Sequence, residues 1–175
     1  MLEDIKMELN KIYNMDCLEG LKQLEDNSVD LIVTDPPYGI NYHSGHYKNK
    51  NPHTKIINDD TLFLPLDELW RVLKPSGAIF VFYSHKVPLV DKRMKNTIIW
   101  VKNNWTAGDL EGNFGNQYEC LGFLPKEDFK IRGRRWSNIW KFDRISPDKL
   151  KHPTQKPVSI IRRIIECGSN EGDVV

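Results

Sequence analysis

The sequence has no stretch long enough to cross a bilayer as a helix. Its longest uninterrupted apolar run, Ala78 to Tyr83, is six residues, against the roughly 20 that a spanning helix needs. Cysteine is scarce: Cys17, Cys120 and Cys167 are too widely spaced for a metal-binding cluster, and an odd, sparse set suits free thiols in a reducing compartment. The opening residues lack the basic start and apolar core of a secretory signal, so the expected setting is the cytoplasm, with no membrane partner. Charge of one sign is lacking too, since 25 basic and 24 acidic residues leave a net of +1. With 39% hydrophobic residues, the composition excludes disordered and fibrous classes. No Gly-x-Gly occurs anywhere, although the chain has 11 glycines. What remains is the composition of one folded domain of ordinary size among its 175 residues.

The balanced total conceals an uneven distribution. Residues 1–35 hold nine acids and three lysines, whereas residues 126–163 hold twelve bases and four acids. Residues 41–58 add Lys48, Lys50 and Lys55 with no acid. Such segregation fits a polyanion partner or a solvated basic face.

Hydrophobic periodicity predicts alternating elements. Lys11–Met15 reads as a short strand, 17–25 as a helix, and Val29–Thr34 as a buried strand. Leu66, Leu69, Trp70 and Leu73 outline a helix closed by the turn sequence Lys74-Pro75-Ser76-Gly77. Ala78–Tyr83, Thr97–Val101, Tyr118–Phe123 and Asn138–Phe142 read as strands, and 85–95 as a helix. Pro157 suits the start of a helix carrying Val158, Ile160, Ile161, Ile164 and Ile165, and Gly172–Val175 resembles the beginning of another strand. This alternation predicts an α/β fold with a mostly parallel sheet, whose ligands bind beyond the carboxyl ends of the strands. Residues 39–60 show no periodicity, as expected of a long functional loop. His43 and His46 lie there without a third metal ligand, so no metal is expected.

Asp35-Pro36-Pro37-Tyr38 follows the buried strand Val29–Thr34. An exocyclic amine of a nucleobase is a poor nucleophile, because its lone pair is delocalised into the ring. Two acceptors placed to take its N–H hydrogens would orient it, and the Asp35 carboxylate and Pro36 carbonyl could be those acceptors. Consecutive prolines fix φ at both positions and hold the carbonyl at a set angle. Tyr38 offers a face for stacking, worth roughly 1–3 kcal/mol per base. A strand-ending turn with a surface tyrosine accounts for the same four residues.

The flanking strings extend the pattern: Asp16-Cys17-Leu18-Glu19, Asp35-Pro36-Pro37-Tyr38-Gly39, Arg71-Val72-Leu73-Lys74-Pro75-Ser76-Gly77, Ile99-Trp100-Val101-Lys102, Tyr118-Glu119, Asn138-Ile139-Trp140 and His152-Pro153-Thr154-Gln155-Lys156-Pro157. In this order the chain resembles the β-type amino-methyltransferases of DNA. The resemblance implies a Rossmann-like methyltransferase sheet with flanking helices. It also implies methyl transfer from S-adenosylmethionine to the N6 of a flipped adenine in duplex DNA. Asp at the first motif position is the usual form for adenine N6, Ser for cytosine N4, and Asn for enzymes acting on RNA or protein. Asp35, Pro36, Pro37 and Tyr38 would be catalytic. Asp16 would contact the cofactor adenine and also suits a helix N-cap; Asp35, Thr154, Gln155 and Lys156 would contact the cofactor elsewhere. Tyr47, Lys48, Lys50 and Trp105 are expected to meet DNA, with Arg132, Arg134 and Arg135 as a phosphate-contacting cluster. Trp100, Trp136 and Trp140 read as packing residues.

β-type members continue into a strand and a glycine-rich loop that approaches the cofactor. This chain reaches Asp173-Val174-Val175 where that strand would begin. The expectation is therefore one incomplete catalytic domain over 1–175, lacking the C-terminal cofactor-loop strands. It would have a mobile DNA-facing loop at 39–60 and a short target-recognition segment at 124–151. A second polypeptide completing a split enzyme, a further copy of the chain, or a DNA-binding remnant without catalysis each fit that expectation.

Overall fold

The computed structural model describes residues 7–41, 59–61, 63–105, 111–152 and 154–175. Their centre is strand β2 (Leu73–Tyr83), buried along its apolar run from Ala78 to Tyr83. Successive side chains on a strand point to opposite faces. Ile79, Val81 and Tyr83 pack with Leu21 of helix α1 (Cys17–Lys22) and with Leu66, Leu69 and Val72 of helix α2 (Leu66–Val72). Ala78, Phe80 and Phe82 pack with Ile160, Ile164 and Cys167 of helix α3 (Val158–Gly168). A strand covered on both faces has no polar side, which explains the unbroken apolar run.

The remaining strands are β1 (Val29–Thr34), β3 (Asn96–Val101), β4 (Tyr118–Pro125) and β5 (Ile139–Lys141), in the spatial order β1-β2-β4-β3-β5. β1 pairs parallel with β2, and β3 parallel with β5. β4 lies antiparallel between β2 and β3. Among the described residues four strands share one direction and β4 is reversed, so the sheet is mixed, with two parallel and two antiparallel pairings, where the alternation predicts a mostly parallel one. The carboxyl ends of β1, β2 and β3 meet the amino end of β4 along one edge.

Several elements differ from expectation. Lys11–Met15 forms no strand, and Ile12 is fully exposed. Lys74–Gly77 is not a turn before β2 but an irregularity inside it, where pairing steps from Val29↔Leu73 to Leu31↔Ala78. Pro75 has no N–H to give the ladder. At Gly77 a Cβ would stand 2.7 Å from the Asp30 carbonyl oxygen, so the close approach requires glycine. Residues 85–95 are not helical. Pro88 opposes a helix there, and Asp91 turns the chain by accepting from the Arg93 backbone N–H at 2.8 Å. At the other end of the chain, residues 172–175 form no strand, but the Val174 carbonyl accepts from Asp30 and Leu31 N–H at 2.9 and 3.2 Å along the free edge of β1. Among the described residues no helix is long and apolar enough to cross a membrane.

The turn at 91–93 is fastened to α2. Arg93 donates to both oxygens of Asp91 at 2.8 Å and to Asp67 at 2.8 Å, with its guanidinium 5.5 Å from the Trp70 ring. The side-chain bonds from Arg93 hold the Asp91 carboxyl down at about 2. A carboxylate depressed in the folded state contributes stability above its unfolded value, near ~4, and loses it as pH falls through the folded value. Urea unfolding between about pH 5 and 2 should show wild type losing about 2 kcal/mol more than Asp91→Asn. Equal acid slopes for the two proteins would contradict the clip.

Candidate active site

β1 ends at Thr34, and the two prolines that follow cannot extend it as an inner strand. The chain turns at Gly39, whose φ of 71° is a left-handed conformation that favours glycine. Gly39 N–H donates at 2.8 Å to a carboxylate oxygen of Asp59, a residue only 1% exposed, and Asn41 N–H donates to the Asp59 carbonyl at 2.6 Å. The turn is thereby pinned, and Asp35, Pro36, Pro37 and Tyr38 line one cavity of about 520 Å³ at the carboxyl edge of the sheet. Thr154, Gln155 and Lys156, from the segment leading into α3, line it too.

Opposite charges converge there. Tyr38 Oη donates to Asp35 Oδ1 at 2.8 Å and stands 3.4 Å from Glu119 Oε2. Lys156 Nζ is 2.9 Å from Asp35 Oδ2 and 3.4 Å from the same Glu119 oxygen. The other Glu119 oxygen faces Lys102 Nζ at 3.2 Å. The Lys156 side chain is 9% exposed, its ammonium lying 5.3 Å from the Tyr38 ring and 5.1 Å from that of Phe82. A buried cation is tolerated where carboxylates surround it. Burial, followed by the nearby Glu119 and Asp35 charges, pushes the Tyr38 phenol far above its ordinary range.

Glu119, Lys102 and Asp59 were not among the residues expected to form the site. Glu119 is the single charge in β4, and Lys102 directly follows β3. An ionisable side chain in an otherwise apolar strand was the available signal for Glu119. Asp59 gave none, since it lies in a segment without periodicity.

The other expected residues are elsewhere. Asp16 caps α1, accepting from Leu18 and Glu19 N–H at 2.8 and 3.3 Å, and does not line the cavity. Trp105, 58% exposed, also lies outside it, beyond the carboxyl end of β3. Arg132, Arg134 and Arg135 follow the carboxyl end of the reversed strand β4, at the opposite end of the sheet. There Arg132 N–H bonds the Cys167 carbonyl at 2.9 Å, and Arg135 lines a separate cavity of about 550 Å³. Arg134 and Arg163 place their guanidinium groups 3.8 and 3.9 Å from the ring of Trp136. Trp100 and Trp140 are core residues, as expected. Tyr47, Lys48 and Lys50 lie outside the described residues.

The phenol makes a direct check possible. Subtracting the alkaline absorbance titration of Tyr38→Phe from that of wild type should leave no phenolate step near pH ~10, where ordinary tyrosines ionise. A step there would contradict the arrangement of Tyr38 between two carboxylates.

Known proteins share both sequence and fold with this chain. Residues 29–175 match the model of the DNA methylase family N6_N4_Mtase. The type II methyltransferase M.HpaI of Haemophilus parainfluenzae is 29% identical over 90% of this chain and 59% of its own length. The DNA adenine methyltransferase YhdJ of Escherichia coli (strain K12) is 28% identical over 96% of this chain and 70% of its own. The chain thus spans less than two thirds of M.HpaI. In fold, it is similar to the M1.HpyAVI–SAM complex, with a TM-score of 0.58 and 24% identity over 92% of this chain and 78% of that one. It is also similar to the cytosine-N4-specific PvuII DNA methyltransferase, with a TM-score of 0.62 and 14% identity over 92% of this chain and 71% of that one. The match over residues 29–175 covers most of the chain: it belongs to the DNA methylase family.

Proposed function

We propose that this protein transfers a methyl group to the N6 amine of an adenine swung out of duplex DNA. The observation that carries the reading is the placement of Asp35, Pro36 and Tyr38 in one cavity at the carboxyl edge of the sheet, with Lys156 closing over the carboxylate. The cavity suits S-adenosylmethionine in size, and its lining of carboxylates and ammonium groups suits a ligand carrying both charges. When bound, that cofactor supplies an electrophilic methyl group; Thr154, Gln155 and Lys156 are the residues here that would hold it.

The chain's own part is positioning and electrostatics. Asp35 and the Pro36 carbonyl accept the two amine hydrogens and turn the nitrogen lone pair toward the methyl group. Tyr38 gives the base a surface to stack on. Adenine is preferred to cytosine in this reading because Asp stands first in the motif and because YhdJ is named a DNA adenine methyltransferase. Cytosine N4 offers the same kind of amine to the same acceptors.

Capture of the duplex is assigned to Trp105 and to the segment with Tyr47, Lys48 and Lys50. Residues 124–151 lead from the far end of the sheet back to the cavity, where Arg144 and Leu150 line the wall, and we assign sequence readout to them. Arg132, Arg134 and Arg135, at the far end, would attract phosphates without touching the target base.

Asp35→Ala should lower methylation of duplex DNA by about 10³-fold with an unchanged circular dichroism spectrum. Methylation at the wild-type rate would refute the assigned role. The double substitution Arg134→Ala, Arg135→Ala should weaken duplex binding severalfold at ~0.05 M salt and by less than about twofold at ~0.5 M. An equal loss at both salts would show that the arginines do not act through phosphate attraction.

A further inference from the structure

We infer that Glu119 is a positioning residue that takes over the donors Tyr38 and Lys156 when a base amine engages Asp35. The inference rests on the reading of Asp35 as the amine acceptor. As the site stands, each Asp35 oxygen already holds a protein donor: Oδ1 accepts from Tyr38 at 2.8 Å and Oδ2 from Lys156 at 2.9 Å. Each oxygen keeps a second lone pair, so an arriving amine can bind there, but it shares the carboxylate with a phenol and an ammonium that draw on the same charge. Lys156 also neutralises the charge that would otherwise polarise the amine.

The geometry supplies an alternative acceptor for both donors. Glu119 Oε2 lies 3.4 Å from Tyr38 Oη and 3.4 Å from Lys156 Nζ. A movement of well under an ångström would convert both contacts into ordinary hydrogen bonds, of about 2.7–3.0 Å. Glu119 itself is held in place. Its Oε1 pairs with Lys102 Nζ at 3.2 Å, and the Lys102 backbone is tied to Gln117 in both directions, N–H to carbonyl at 2.7 Å and carbonyl to the carboxamide at 3.0 Å. Lys156 Nζ, also 3.3 Å from the Thr154 carbonyl, ends a flexible stem beside the rings of Tyr38 and Phe82, so a small shift toward Glu119 needs no backbone movement. The high-lying phenol keeps its proton throughout and so remains a donor to either carboxylate. In this role Glu119 acts through Tyr38 and Lys156.

The isosteric change Glu119→Gln keeps the shape of the site but removes the charge and one acceptor oxygen. Adding Lys156→Met to it removes the stronger competitor for Asp35. Calorimetric binding of adenosine and of purine riboside, which lacks the amine, measures how well the amine is received. Wild type should prefer adenosine by about tenfold, as expected for a hydrogen bond to a charged group. Glu119→Gln should reduce that preference to within about twofold, and Glu119→Gln with Lys156→Met should restore most of it. Unfolding midpoints would show that both variants are folded. A full preference in Glu119→Gln, or no recovery in the double variant, overturns the exchange and leaves the assignment of Asp35 standing. No preference in wild type overturns the amine-acceptor reading, and the exchange with it.

Discussion

The ammonium of Lys156, 9% exposed and held between Asp35 and Glu119, is the contact on which the site depends. It ties three distant parts of the chain together: the loop after β1, the start of β4 and the approach to α3. A cation so deeply placed is favoured by the carboxylates beside it, and two carboxylates converging on one hydroxyl are favoured by a cation beside them. Each group therefore fixes the others. Tyr38 enters the same balance through its hydroxyl, which is why the aromatic ring and the carboxylate face one cavity.

The sheet makes that convergence possible. β2 is apolar on both faces and buried, so it sets the level at which β1 and β4 pair on either side. Because β4 runs the other way, its first residues, Tyr118 and Glu119, arrive at the edge where β1 delivers Asp35. A parallel strand in that place would have put Glu119 at the far end. The same reversal carries the arginine-rich segment after β4 away from the cavity and against Trp136 and the end of α3. One strand direction thus separates the cavity from a basic surface.

Much of this was legible in the sequence. β1, β3 and most of β4 follow from short β-branched or apolar runs bounded by prolines and polar residues, and Pro157 marks the start of α3. The Asp35–Tyr38 motif stands out only together with its flanking strings, because the four residues alone fit a strand-ending turn equally well. What could not be read were features set by pairing across long separations. The irregularity at Lys74–Gly77 comes from the close approach of Asp30, and its turn-like composition describes a strand as well as a loop. Residues 85–95 have helical spacing, but Pro88 and the Asp91–Arg93 bonds decide otherwise. Glu119 acquires its role only when β4 brings it to Tyr38 and Lys156, and Lys102 only when β3 brings it to Glu119. Asp16 suits a cap and a cofactor contact together, and its bonds to Leu18 and Glu19 N–H show the cap.

The central claim is that the Asp35–Tyr38–Lys156–Glu119 arrangement presents a base amine for methylation. Its most direct measurement is to incubate the protein with duplex DNA and S-adenosylmethionine carrying an isotopically labelled methyl group, digest the DNA to nucleosides and identify the labelled product by mass spectrometry. The account predicts the label on N6-methyladenine. Label on N4-methylcytosine or label elsewhere would contradict it.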